Sequence, residues 1–98
     1  MKFTLLSPQK TLYEGEVDSV TVPGELGSFT VWENHAALIS SLKEGELTAR
    51  HKDMDGKTEK TETFKIDGGF VEVRDNEVSV CVERVLANDK TKETEKIE

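Results

Sequence analysis

Asp67-Gly68-Gly69-Phe70-Val71-Glu72-Val73-Arg74-Asp75-Asn76-Glu77-Val78-Ser79-Val80-Cys81-Val82 decides the fold class of this 98-residue chain. A turn at Asp75-Asn76 sets Arg74 opposite Glu77 on one face, and Val73 opposite Val78 and Val71 opposite Val80 on the other. A single register that satisfies charge pairs and apolar pairs together is the signature of a β-hairpin with one buried face. It predicts Val71, Val73, Val78, Val80 and Val82 inside, with Ser79, Cys81 and Glu83 on the partly exposed side.

The same period-two alternation extends outward on both sides. Phe3-Thr4-Leu5-Leu6 reads as a first strand, ended by Ser7-Pro8. Thr11 to Val22 is a long β-compatible run in which Val17 is out of phase with Val20 and Val22, and a one-residue bulge near Asp18-Ser19 restores the register. Ser28 to Trp32 and Leu38-Ile39 are short strands. Leu47, Ala49 and His51 alternate with Thr48, Arg50 and Lys52. Asp55-Gly56 suits a two-residue type I′ turn, and pairing about it sets Lys52 opposite Glu59 and Leu47 opposite Phe64. Roughly eight to ten short strands with regular turn signals make an all-β sandwich or barrel. The chain divides into a sandwich domain over 1–84 and a charged tail over 85–98. In that tail Asn88 or Asp89 is placed to cap a fragment of helix, or the residues stay solvated.

Thirteen basic residues against twenty acidic ones leave a net charge of −7. Phosphate recognition needs clustered Lys and Arg, so nucleic acid is a poor partner, and anionic lipid surfaces repel such a chain. The lone cysteine, Cys81, excludes an intrachain disulfide. The N-terminal residues have no apolar run of signal-peptide length, and no stretch reaches the ~18 apolar residues of a membrane-spanning helix. The two histidines and the cysteine lie dispersed at 35, 51 and 81. They build no metal site and no nucleophilic triad, and no cofactor is implied. Neither a dinucleotide fingerprint nor a phosphate-binding loop is present. With twenty acidic residues some carboxylates must lie close together, so a carboxylate pair carries no information about catalysis.

Four features have both a plain reading and a functional one. Trp32 is either a core residue or an interface anchor. His35, ahead of Ala36-Ala37-Leu38-Ile39, is either a loop or core histidine or a partner contact. Cys81 is either packing or a reactive thiol. The Gly24 to Gly27 loop is either turn chemistry or a docking tip.

Lys10-Thr11-Leu12-Tyr13-Glu14-Gly15-Glu16-Val17-Asp18-Ser19-Val20-Thr21-Val22-Pro23-Gly24 resembles the opening of bacterial ATP synthase epsilon subunits. Gly27 through His35-Ala36-Ala37-Leu38-Ile39 falls where that family has its glycine-rich segment and G-H-A-P-L-L motif. Asp67 to Asn76 is similar to its S-G-G-F-V-E-V-R-D-N hairpin. The three blocks run in the family's order and spacing from about Phe3 to Glu83. Glu33-Asn34 stands where the family has Pro-Gly, and Ala37 where it has a proline. The resemblance implies a ten-stranded β-sandwich at the foot of the central stalk of a proton-translocating ATP synthase, non-catalytic and without cofactors. It implies attachment to the cytoplasmic face of a bacterial inner membrane through the complex alone. It also implies docking on the gamma subunit through His35, Ala36, Leu38 and Ser40, and on the c-ring through Glu25, Leu26, Ser28 and Phe29. Longer members carry a C-terminal pair of helices, for which residues up to Glu98 leave room for at most a fragment. A free-standing all-β module that binds a peptide or small ligand is the alternative reading.

Overall fold

A computed structural model describes residues 1–53 and 55–95, and the end of the tail, 96–98, lies outside the described residues. The strands are β1 (Lys2–Leu6), β2 (Thr11–Glu16), β3 (Ser19–Gly24), β4 (Gly27–Trp32), β5 (Leu38–Leu42), β6 (Gly45–Lys52), β7 (Thr58–Ile66), β8 (Gly69–Arg74), β9 (Glu77–Cys81) and β10 (Val85–Glu95). Their order is β10-β7-β6-β3-β5-β8-β9-β1-β2, with β4 paired to β3 off this path. Every pairing is antiparallel except that of β1 with β9.

The connection at β3 makes this one sheet into a sandwich. One edge of β3 pairs with β4 along its whole length. The other edge is divided, with Ser19, Val20 and Thr21 opposite β6 and Gly24 opposite Leu42 of β5. The chain therefore has two five-stranded halves, β4-β3-β6-β7-β10 and β5-β8-β9-β1-β2, joined at Gly24 and Leu42. At the far ends the halves meet again. The Tyr13 ring, in β2, lies 5.6 Å from Phe3 and 5.5 Å edge-on from Phe64 of β7. Sheet twist and this aromatic contact close the structure into a curled sandwich.

The core lies between the halves. Phe3, Leu5, Val20, Val22, Val31, Leu47, Ile66, Val71, Val73, Val78 and Val80 are fully buried, and Phe64 nearly so. The β8–β9 hairpin has the register that its charge and valine pattern require, with Arg74 opposite Glu77, Val73 opposite Val78 and Val71 opposite Val80. Asp75 and Asn76 both adopt left-handed backbone (φ 52° and 59°), the requirement of a type I′ turn. Gly69 (φ 131°) starts β8 so close to β9 that an added Cβ would collide with the Cys81 carbonyl.

Three local expectations are corrected. Thr11 to Val22 is not one bulged strand. It is two strands separated at Val17-Asp18, where the Val17 N–H bonds Met1 O (2.9 Å) and the Asp18 N–H bonds Arg50 O (2.7 Å). Val17 is buried because the chain turns from one half to the other there. The β6–β7 hairpin has the expected register, Lys52 opposite Glu59 and Leu47 opposite Phe64, but a wider tip than a two-residue turn. The Asp53 N–H bonds Thr58 O (2.8 Å), and the Gly56 N–H bonds Asp53 O (2.9 Å). Asp55 Oδ1 accepts the N–H groups of Lys57 (2.8 Å) and Thr58 (2.9 Å), an Asx-type clamp. Donation by Thr58 and then Lys57 holds the Asp55 carboxyl below the usual carboxylate range. Finally, Asn88 caps no helix. Val85–Glu95 is a strand antiparallel to β7, and no helix occurs among the described residues. The free edge of β7 offers unpaired N–H and C=O groups to a tail with little apolar surface, and backbone pairing prevails over local propensity.

Val73→Ala and Val80→Ala are each expected to cost on the order of 1–3 kcal/mol, as buried aliphatic truncations do. Cys81→Ser is expected to cost less, because Cys81 is half-buried on the other face. Urea unfolding of the three variants measures this, and equal costs would mean that both faces of the hairpin are core.

Candidate functional site

The two stretches marked out in the sequence come together in the fold. Gly24 and Gly27 close the β3–β4 hairpin, which carries Glu25 and Leu26 at its tip. The Glu25 N–H bonds the Ser41 carbonyl of β5 at 3.1 Å, which ties the tip to the second stretch. A groove of about 570 Å³ runs between them, lined by Glu25, Leu26, Phe29, Ile39, Ser40 and Ser41. Gly24 is needed for this approach, since a Cβ there would stand 2.7 Å from the Gly27 carbonyl and 2.9 Å from the Phe29 ring.

Strand alternation decides which side chains face out. Leu38 packs against the core and Phe29 is half-buried against it, whereas Leu26 and Ile39 project fully. Leu26 is as exposed as in an extended peptide and Ile39 is 73% exposed, an unusual state for large aliphatic residues. On the other side of Ile39 a second recess of about 360 Å³ is formed with Ala37, Glu72 and Arg74. Phe70, 47% exposed, stands opposite Ser41 on the neighbouring strand, so it shares the outer face with Ile39. Beyond Phe70 an apolar groove of about 440 Å³ continues over Leu6, Pro8, Cys81 and Val82. The outer face of the β5 half thus carries one apolar band, from Leu26 through Ile39 and Phe70 to Leu6. The β4–β3–β6 face is polar by contrast. Thr21 and Thr30 hydroxyls lie 2.8 Å apart, and Arg50 donates to Thr21 at 3.4 Å.

The loop between β4 and β5 is fastened at its β4 end. Asn34 adopts left-handed backbone (φ 62°), a conformation that asparagine tolerates. Its N–H donates to the Asn76 Oδ1 at 2.8 Å, fastening the loop to the β8–β9 turn. The His35 N–H bonds the Trp32 carbonyl (3.2 Å), and its Nδ1–H donates to Ala36 O (2.8 Å). His35 is half-buried, Ala36 exposed and Ser40 half-buried, while Ser28 is exposed at the hairpin. Trp32 is 61% exposed, which removes it from the core. Cys81 is half-buried and lines the apolar groove, with no histidine or cation among that groove's lining residues.

The alternating pattern around Leu38-Ile39 did not reveal that Ile39 is the projecting member, nor did it connect Phe70 with this surface. Inside and outside follow only once β5 is paired with β8. Among the described residues no three His, Cys, Asp or Glu side chains converge as metal ligands.

Residues 1–88 match the family described as "ATP synthase, Delta/Epsilon chain, beta-sandwich domain". The ATP synthase epsilon chain of Leptospira interrogans serovar copenhageni is 41% identical over 97 residues, covering 98% of this chain and 72% of the relative. That of Caulobacter vibrioides is 37% identical over 86 residues, 88% of this chain and 93% of the relative. Among solved structures, a chain of the Euglena gracilis mitochondrial ATP synthase OSCP/F1/c-ring assembly superposes with a TM-score of 0.73 at 23% identity. The match covers 86% of this chain and 51% of that one. A chain of the Tetrahymena thermophila mitochondrial ATP synthase central stalk and c-ring gives 0.69 at 24% identity, over 88% of this chain and 65% of that one. These two likenesses are of fold.

Asn76→Gly keeps the left-handed turn but removes the acceptor for Asn34. It is expected to speed hydrogen exchange at the Asn34 amide with little loss of stability. Asn76→Ala also forces alanine into left-handed backbone and should cost about 1–2 kcal/mol in unfolding experiments.

Proposed function

Because the chain belongs to the β-sandwich family of ATP synthase delta and epsilon chains, we propose that it is a non-catalytic central-stalk subunit of a proton-translocating ATP synthase, docking on the gamma subunit and the c-ring and helping to couple proton flow to ATP synthesis. In this reading it sits on the cytoplasmic face of a bacterial inner membrane, held there by the complex. Among the described residues no helix is long and apolar enough to cross a membrane.

The observation that supports the reading is the convergence of the hairpin tip and β5 on one exposed apolar band. Leu26 and Ile39 have no core partner and sit beside grooves, the arrangement of anchors that become buried on association. The tip, Glu25 to Phe29, serves the c-ring loops, where an exposed leucine beside a carboxylate gives both grip and orientation. His35 to Ser40, extended by Phe70, serves gamma. Leu38 acts from beneath by holding β5 in place, and Ile39 makes the contact. Burying a side chain of this size contributes about 1.5–3 kcal/mol, so a few such anchors with polar rims suffice for a stable interface. Torque is transmitted only if the docking surface is rigid. The Asn34–Asn76 bond, the Glu25–Ser41 bond and the β5–β8 ladder supply that rigidity.

Ile39→Ala and Leu26→Ala are expected to leave the domain folded by circular dichroism. Ile39→Ala should weaken gamma binding about tenfold in calorimetry, a loss of roughly 1.4 kcal/mol. Leu26→Ala should instead lower ATP-driven proton pumping in reconstituted vesicles. His35→Glu should weaken gamma binding, because it places an unpaired charge at the interface. Leu38→Ala should lower folding stability. If substitutions throughout both stretches leave binding and pumping intact in folded protein, the free-standing module is favoured and the stalk reading fails.

A further inference from the structure

The distal part of β10 and the edge of β7 beneath it carry an inference independent of docking. The family match ends at residue 88, yet β10 runs on along β7 to Glu95. Asp89 stands opposite Thr63, Lys92 opposite Thr61, Glu93 opposite Lys60, Thr94 opposite Glu59 and Glu95 opposite Thr58, with register breaks at Val85/Ala87 and Asp89/Lys92. Residues 89–95, Asp-Lys-Thr-Lys-Glu-Thr-Glu, contain no apolar side chain. With no apolar residue to bury, this half-strand depends on its backbone pairing with β7. The edge that it covers is of another kind. β7 is nine residues long, carries β-branched threonine at 58, 61 and 63, and is anchored in the core by Phe64 and Ile66. Uncovered, it would present a long row of free N–H and C=O groups to another chain.

We propose that residues 89–95 are an edge guard, and that the β7 edge beneath them is a self-complementary surface for a second copy of this chain. The charge pattern selects one antiparallel register, centred on Thr61. There Lys60 of each copy stands opposite Glu62 of the other and Glu59 opposite Thr63, all within the stretch that residues 89–95 cover, while Phe64 stays paired with Asn88. Centring on Lys60 or on Glu62 sets like charges against each other, and centring between Lys60 and Thr61 sets Glu59 against Glu62. Centring between Thr61 and Glu62 leaves the charges facing threonine or phenylalanine. Opposite-charge cross-strand pairs therefore favour a twofold-symmetric dimer in the Thr61 register alone. In the guarded chain the same charges are engaged locally. Lys60 Nζ lies 3.6 Å from Asp53, the Lys60 backbone is in register with Glu93, and Glu62 is close enough to Tyr13 to raise its phenol pKa, after burial, which does more.

The test uses the full-length chain with residues 89–95 replaced by alternating glycine and serine, followed by analytical ultracentrifugation over a concentration series. The unaltered chain is expected to be monomeric and the guardless chain to dimerise with rising concentration while its circular dichroism stays native. In the guardless background, Glu62→Lys alone and Lys60→Glu alone should each restore the monomer, since each sets like charges face to face. An equimolar mixture of those two variants should dimerise again, because every pair across the interface is then of opposite sign. A milder chain, Lys92→Pro with Thr94→Pro, removes two strand N–H groups at unchanged length and should behave as the guardless chain does. A folded guardless chain that stays monomeric overturns the proposal, as does a dimer that persists in both single variants. Loss of the fold in both guardless and proline chains would make β10 a structural strand and overturns it too.

Discussion

Strand β3 has only two edges, and three strands, β4, β5 and β6, share them. β4 takes the whole of one. β6 takes the first half of the other and β5 meets its last residue, with Gly24 opposite Leu42. That division makes the sheet split into two halves that fold over a common core. It requires Gly24 to lack a side chain, since Gly27 and Phe29 occupy the space in which a Cβ would stand. The Tyr13 contacts to Phe3 and Phe64 at the opposite end close what the β3 junction opens.

The same junction brings the candidate surface into being. Because β5 leaves β3 at Gly24, the hairpin tip that follows Gly24 lies beside Ser41, and two segments distant in sequence share one groove. The outward side chains of β5 and β8 then form an apolar band that the core cannot use. A small domain has little apolar material to spare, so three large side chains held in solvent represent stabilisation forgone in the free domain. In the proposed docking, association recovers it.

The fold was legible where local pattern and pairing agree. The β8–β9 hairpin and the β6–β7 register follow from valine alternation and opposite charges, and both stand in the structure as the residues dictate. Val17 was misread because a buried residue out of phase fits a bulge and a corner equally well, and only the bonds to Met1 and Arg50 distinguish them. The Asp55 tip was misread because a carboxylate that captures two backbone N–H groups competes with the tight turn. β10 was not legible at all, because its pairing depends on a strand edge distant in sequence, with Val85 opposite Ile66 and Glu95 opposite Thr58, and not on its own composition. For the candidate site, the resemblance marked both stretches. Their convergence and the projection of Ile39 beside Phe70 needed the three-dimensional pairing of β5 with β8.

If the chain docks as proposed, the band from Leu26 to Phe70 is covered in the assembled complex. Hydroxyl-radical footprinting of the chain, free and assembled with the rest of an ATP synthase, tests it residue by residue. Strong oxidation of Leu26, Ile39 and Phe70 is expected in the free chain, with marked protection of all three on assembly. Unchanged oxidation at these three positions, with protection appearing at Trp32 or Leu86 instead, would contradict it.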